Sequence, residues 1–275
     1  MNHIKTLCVA LLVILSSCRQ PKGADTSFTF IQVTDPQFGF MSNNTGITEE
    51  TALYEKAVAN INLTKPAFVV ITGDFVNDRF NQAQWDEFRR ITDLIDPGIK
   101  VYLTPGNHDI GQEPAREDID VYKSMFGYDR FSFEYKNSRF IGFNSCLIKA
   151  ETPELENEQF EWLTNELSAS SEAKHTILFC HHPFFLTDPL ESETYSNIKP
   201  ETRQRYLSMF SKYGVDAVFA GHLHNNAYGL FGEIQVITTS AVGKQLGGAL
   251  PGLRLVKIDG KEFNQNYFPL DSLKN

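Results

Sequence analysis

Residues 67–74 read AFVVITGD and residues 100–109 read KVYLTPGNHD. Each is a short apolar run rich in β-branched and aromatic residues, closed by a glycine and a polar side chain able to bind metal. Such runs, four to eight residues long and bounded by turn formers, are strands. The same pattern of apolar run and polar terminus recurs in FTFIQVTD (28–35), HTILFCHHP (175–183) and DAVFAGHLH (216–224). Between the first two strands, TEETALYEKAVANINLT (48–64) repeats apolar positions at helical spacing and carries acids in its first turn.

Working outward, helical patterns cover NQAQWDEFRRITDLI (81–95), LENEQFEWLTNELSA (155–169) and PETRQRYLSMFSKYG (200–214). FSFEYKNSRFIGFNS (131–145) reads as a hairpin turning at Lys136-Asn137-Ser138. IQVITTSAV (234–242) and LRLVKID (253–259) supply the last strands. Strand and helix therefore alternate, with a hairpin inserted and strands dominating the end. This order predicts an α/β protein with a mixed β core covered by helices. In open α/β sheets, ligands bind beyond the carboxyl ends of the strands.

Composition fits a globular chain: 275 residues, 41% hydrophobic and 21% charged, long enough for one large core. Lys and Arg number 25 against 34 Asp and Glu, a formal net charge of −9. That balance argues against a nucleic-acid or anionic-membrane binding face, although a bound metal can reverse the sign inside one pocket. Residues 1–18, MNHIKTLCVALLVILSSC, have the layout of a secretory signal. The apolar run from Leu7 to Leu15 is well short of the roughly 20 residues that span a bilayer. Leu15-Ser16-Ser17-Cys18 resembles a bacterial lipobox. The expected organisation is a signal peptide over 1–17, an acylated Cys18, a tether over 18–27 and one domain over 28–275. Localisation would then be the cell envelope, periplasmic or at the outer membrane, with no membrane contact beyond the Cys18 lipid and a monomeric body. Cys146 and Cys180 lie in apolar strand-like runs and read as buried free thiols.

Five polar strand ends carry the chemistry: Asp35-Pro36-Gln37, Gly73-Asp74, Gly106-Asn107-His108-Asp109, His181-His182 and Gly221-His222-Leu223-His224. Singly each is weak, since an Asp after a strand is usually a cap or turn residue. Together they offer carboxylate oxygen, amide oxygen and imidazole nitrogen, the ligand types for two divalent metals of intermediate hardness. A short acid shared between two such ions holds them about 3.5–4 Å apart.

The order D-x-x, GD, GNHD, H-x-P, GHxH resembles the calcineurin-like metallophosphoesterase superfamily over about residues 28–260. DPQFG (35–39), GNHDIG (106–111), Thr202-Arg203, SAVGKQLG (240–247) and GLR (252–254) resemble, within it, the family of calcineurin-like phosphoesterase domain-containing protein 1. The resemblance implies a four-layer αββα sandwich of two mixed sheets, with a dimetal site on one edge. It implies that Asp35 and His224 hold the first metal, that Asp74 bridges, and that Asn107, His181 and His222 hold the second. His181 is preferred to His182, because neighbours on a strand point oppositely. The departure is Gln37, where most of the superfamily has His. As a ligand, its amide oxygen is harder and weaker than imidazole, which would favour Mn²⁺, Mg²⁺ or iron over Zn²⁺; alternatively it binds through water or holds a neighbour.

The implied activity is hydrolysis of phosphate esters, foremost phosphomonoesters of a small substrate, by a metal-activated hydroxide. His108 would protonate the leaving group, with Asp109 orienting its imidazole, and His108 and Asn107 would also contact substrate. Arg203, in the first turn of a helix, is a candidate phosphate clamp or a solvated surface residue. GKQLGG (243–248) and Phe38, Phe40, Phe184 and Phe185 are either pocket lining or ordinary turn and core. The competing readings are a phosphodiesterase on the same site and a metal-binding lipoprotein with a vestigial site.

Overall fold

A computed structural model describes residues 27–272; the signal, Cys18 and nearly all of the tether lie outside them. The chain opens with β1 (Phe28–Val33), α1 (Thr48–Thr64), β2 (Phe68–Thr72), α2 (Gln82–Thr92) and β3 (Lys100–Thr104). Short α3 (Asn107–Ile110) and α4 (Arg116–Phe126) lead to the hairpin β4 (Phe131–Tyr135) and β5 (Ser138–Gly142). Then come α5 (Ser145–Lys149), α6 (Pro153–Ser168), β6 (Thr176–Phe179), α7 (Pro200–Lys212) and β7 (Ala217–Ala220). The chain closes on β8 (Ala227–Phe231), β9 (Ile234–Thr238), β10 (Gly252–Asp259) and β11 (Glu262–Pro269).

Two mixed sheets result, ordered β11-β10-β1-β2-β3 and β4-β5-β6-β7-β9-β8. Within each, a run of strands is parallel: β1-β2-β3 in one and β5-β6-β7-β9 in the other. Hairpin partners pair antiparallel at the margins. The hairpin turn falls at Lys136 and Asn137, both with positive φ, while Ser138, expected in the turn, opens β5 opposite Tyr135.

Period-two alternation explains the layers, because both faces of each central strand are buried. Phe30, Phe68 and Val70 point inward to meet Phe140, Ile177, Phe179 and Phe219 of the second sheet. Their strand neighbours Ile31, Val33, Val69 and Ile71 point outward onto Tyr54, Ile61, Phe88 and Ile91 of α1 and α2. On the far side, Leu178 and Val218 pack under Leu163, Tyr206 and Phe210 of α6 and α7. The expected αββα sandwich is thus present, and most of the phenylalanines serve its central layer: Phe30 stacks on Phe68 at 5.0 Å and meets Phe140 edge-on at 5.6 Å. Phe38, Phe184 and Phe185 are fully buried core residues; of the four aromatics flanking ligand segments, only Phe40 reaches the site. Cys146 and Cys180 are buried free thiols.

One polar residue crosses the central layer just below the edge where the polar strand ends lie. Gln32, fully buried, donates from Nε2 to Thr72 Oγ1 (2.9 Å) and Ala220 O (3.1 Å), while Thr239 Oγ1 donates to its Oε1 (2.6 Å). It ties the ends of β1, β2, β7 and β9 together, so the loops that follow them start from fixed positions.

Candidate metal centre

The five polar strand ends converge on one edge of the sandwich. The loops abut tightly: Asp35 N–H donates to Gly73 O (3.2 Å), Gln37 N–H to Asp74 O (2.9 Å) and Gly221 N–H to His181 O (2.9 Å). Two glycines make this approach possible. A Cβ on Gly106 would lie 2.2 Å from Asp74 Oδ1, and one on Gly221 would lie 1.8 Å from Thr34 Oγ1. Neither needs positive φ; the requirement is space between loops.

Backbone strain marks the same residues. Asp35 (φ 52), Gln37 (φ 39), Asp74 (φ 49), His222 (φ 69) and His224 (φ 51) all occupy the left-handed region. Non-glycine residues there are strained and cluster at functional sites. Five of the seven predicted ligands adopt this conformation, each where a strand turns sharply under the site.

Around His181 the donor atoms meet at a spacing that suits a cation. Its Nδ1–H donates to Thr72 O (2.9 Å), so in the neutral ring Nε2 is a bare lone pair. That lone pair faces Asn107 Oδ1 at 3.1 Å, His222 Nδ1 at 3.1 Å and Asp74 Oδ2 at 3.2 Å. Atoms each about 2.0–2.2 Å from one ion lie roughly 3 Å apart. Without metal a proton takes its place. Burial opposes the charge on His181, but Asp74 and Asp35 outweigh it and push the group up to about 9. Burial likewise opposes ionisation of Asp74, yet His181, His108 and His222 hold its carboxyl well below the usual range. His222 is pushed down to about 3 by burial and by the charge of His181, so it is neutral and available as a ligand.

The adjoining half uses the other oxygen-rich group. Donor atoms of Asp35, Asp74 and His224 lie within 4.8 Å of one another, as do those of Asp74, His181 and His222, and all five residues are buried. Asp74 is common to both sets. His224 Nδ1–H donates to Lys244 O (2.5 Å), which turns Nε2 toward Asp35 Oδ1 at 3.4 Å; a backbone acceptor that fixes tautomer is a usual support for a metal-binding His. Gln37 donates from Nε2 to Asn77 Oδ1 (3.2 Å), leaving Oε1 buried without a partner. A buried acceptor left without a partner fits a cation. Two divalent ions therefore suit the donor set, one in each half. Two segments flagged in the sequence resolve here: GKQLGG supplies the Lys244 carbonyl, and Phe40 packs its ring edge-on against His224 at 5.4 Å.

Two expectations need correction. Asp109 does not orient His108. Its carboxylate accepts from Phe75 N (2.8 Å), Val76 N (3.4 Å) and Gly106 N (2.8 Å), capping α3 and bracing the loop after β2. His108 is held instead by its Nδ1–H donating to Asn77 O at 2.8 Å, and its backbone N–H donates to Asp74 Oδ1 at 2.8 Å. Arg203 neither grips phosphate nor sits on the surface. Only 1% exposed, it donates to the carbonyls of Phe184, Pro189, Glu191 and Ile198, pinning the loop between β6 and α7 from inside. His182 is also buried; its ring lies 4.3 Å from that of His222, and its Nδ1 is 3.9 Å from Cys146 Sγ, away from the shared Asp74.

Sequence reasoning missed Tyr195 and Asn77. Tyr195 brings its ring to 4.9 Å from His222 and its hydroxyl to Asn107. Nothing local in SETYSN signals this, because the contact is made across 88 residues. Asn77 had a signal, lying three residues after the Gly73-Asp74 turn.

A fold of this architecture with a shared carboxylate between two ligand sets defines a metal-dependent phosphoesterase, a hydrolase acting on phosphoric esters. The sequence pattern of the calcineurin-like phosphoesterase family matches residues 28–226, and the chain belongs to that family. It is 34% identical to serine/threonine-protein phosphatase CPPED1 of Rattus norvegicus, over 90% of this chain and 85% of the relative. It is 27% identical to Fe(3+)-Zn(2+) purple acid phosphatase 12 of Arabidopsis thaliana, over 74% of this chain and 43% of that one. Its fold is similar to that of a dimetal phosphatase from Danio rerio, with a TM-score of 0.60 at 17% identity, covering 86% of this chain and 98% of that one.

Proposed function

We propose that the chain is a phosphatase that hydrolyses phosphomonoesters of small, soluble compounds at two divalent ions sharing Asp74. The observation that carries this reading is the convergence of Asp74, Asn107 and His222 on the His181 Nε2 lone pair at 3.1–3.2 Å. Bound metal supplies Lewis acidity, an activated water and neutralisation of the phosphoryl oxygens. The protein does the rest. Asp35, Gln37 and His224 would hold one ion; Asn107, His181 and His222 the other. His108, its ring fixed by Asn77 O, would deliver a proton from Nε2 to the leaving oxygen. The oxygen-rich first half favours Mn²⁺, Mg²⁺ or iron over Zn²⁺ there.

The names of the relatives support a phosphatase. Phosphoproteins inside the cell are a poor match for an anchored protein. We infer from Leu15-Ser16-Ser17-Cys18 that the chain is cleaved before Cys18, acylated there and held in the cell envelope as a monomer. Nutrient or envelope phosphoesters are then the natural class, and the formal net charge of −9 argues against a nucleic-acid substrate. Fatty-acid labelling of the expressed chain should be lost in Cys18→Ser; labelling that persists removes this assignment.

The catalytic reading is tested by hydrolysis of p-nitrophenyl phosphate and bis-p-nitrophenyl phosphate after metal stripping and separate restoration of Mn²⁺, Mg²⁺, Fe²⁺ or Zn²⁺. Turnover should require metal, prefer the monoester and fall by about a thousandfold or more in Asp74→Asn. Preference for the diester would redirect the assignment to a phosphodiesterase. Folded, metal-loaded protein inert toward both would favour a binding protein.

A further inference from the structure

Between β6 and α7 the chain runs from Cys180 to Lys199 without helix or strand, yet it is tightly held. Arg203 fills its interior with donors to four of its carbonyls. Glu191 accepts from the backbone N–H groups of Leu186 (2.8 Å), Thr187 (3.2 Å) and Asp188 (3.3 Å) and from Asn197 Nδ2 (2.6 Å). From outside, Lys149 Nζ donates to Thr194 O and Asn197 O, both at 2.8 Å, and pairs with Glu193. A buried arginine, a carboxylate and a lysine thus brace a segment with no ladder of its own.

What the segment presents is Tyr195. The residue is 62% exposed, so its ring is not there to fill a core. It leans on His222, with ring centroids 4.9 Å apart. Its hydroxyl oxygen accepts from Asn107 Nδ2 (3.4 Å) and Gln112 Nε2 (3.2 Å). A phenol oxygen accepts two hydrogen bonds and donates one. Both acceptor positions are therefore filled, and among the described residues the hydroxyl proton has no acceptor. The Asn107 amide that points its nitrogen at Tyr195 points its oxygen at the His181 cluster. The hydroxyl is therefore tethered beside the second half of the metal centre, with its proton free to meet an incoming acceptor.

We propose that the Tyr195 hydroxyl donates a hydrogen bond to a non-bridging phosphoryl oxygen of the substrate. This rests on the phosphatase reading. The acceptor it needs is anionic oxygen, of which a phosphomonoester offers three. A neutral donor also suits this place: it adds a directional contact on the phosphoryl group without adding charge next to the metals.

The test uses the full chain loaded with Mn²⁺, comparing wild type with Tyr195→Phe, which keeps the ring on His222 and removes only the hydroxyl. Three readouts are needed: bound metal per chain, calorimetric affinity for inorganic phosphate, and kcat/KM for p-nitrophenyl phosphate. A hydrogen bond to a charged acceptor leads us to expect both phosphate affinity and kcat/KM to fall by about tenfold to a hundredfold. Metal content and melting temperature should stay at wild-type values. Unchanged phosphate affinity overturns the assignment, whatever the wild type cleaves. A fall in bound metal that accounts for the loss also overturns it, since Tyr195 would then only be holding Asn107. If the wild type cleaves no ester but Tyr195→Phe still weakens phosphate binding, the contact stands and the enzymatic reading fails.

Discussion

The two halves of the metal centre share Asp74 but are built on different principles. The half containing His181 draws Asn107 from the first sheet and two imidazoles from the second, packing four electron-pair donors at 3.1–3.2 Å. The half containing Asp35 has one imidazole, two carboxylates and the neutral amide of Gln37, whose Oε1 is left without a partner. Nitrogen-rich on one side, oxygen-rich and weaker on the other, they should not hold metal equally. One ion should therefore be held more tightly than the other.

His181→Ala should break that comparison most severely. It removes the atom on which the second half converges, so one bound ion should be lost and turnover should fall by about a hundredfold or more. His182→Ala, one residue along, should retain both ions, because its ring packs on His222 and Cys146 rather than on Asp74. Metal analysis of the two variants decides between the neighbours, and metal loss in His182→Ala alone would exchange their roles. A smaller effect is expected on the other half. Gln37→His should tighten only the weaker ion, by about tenfold, and shift its preference toward Zn²⁺.

What could be read from the chain differs in the same way between local and non-local features. Strands whose two faces are both buried advertise themselves as apolar runs, and α1 matches its sequence pattern from Thr48 to Thr64. β11, EFNQNYFP, pairs at the sheet margin with none of its eight residues fully buried, so its alternation is diluted by polar side chains. α4 buries only Ile119 and Tyr122, too narrow a stripe to show helical spacing. The seven candidate ligand residues were legible as a group because each stands at a strand end beside turn-forming residues. The errors at Asp109 and Arg203 share one cause. Both side chains are spent on backbone groups of other segments, up to 34 residues away for Asp109, and a side chain's hydrogen-bond partners are not a property of its neighbours in sequence. Tyr195 was hidden for the same reason.

Electrostatics sharpens the comparison through pH. In the metal-free protein His181 carries a proton up to about pH 9, held there by Asp74 and Asp35 against the opposing effect of burial. An ion entering that half must displace it. Apparent affinity should therefore rise with pH, by up to about tenfold per unit below pH 9, and level off above it.

The most direct measurement is a titration of Mn²⁺ into the metal-stripped chain, followed by calorimetry and intact-protein mass, in buffers of different ionisation enthalpy. The account requires two ions per chain with separable affinities, proton release on filling the tighter half, and loss of both in Asp74→Asn. A single ion, no ion, or two ions bound unchanged in Asp74→Asn would contradict a centre built around a shared aspartate.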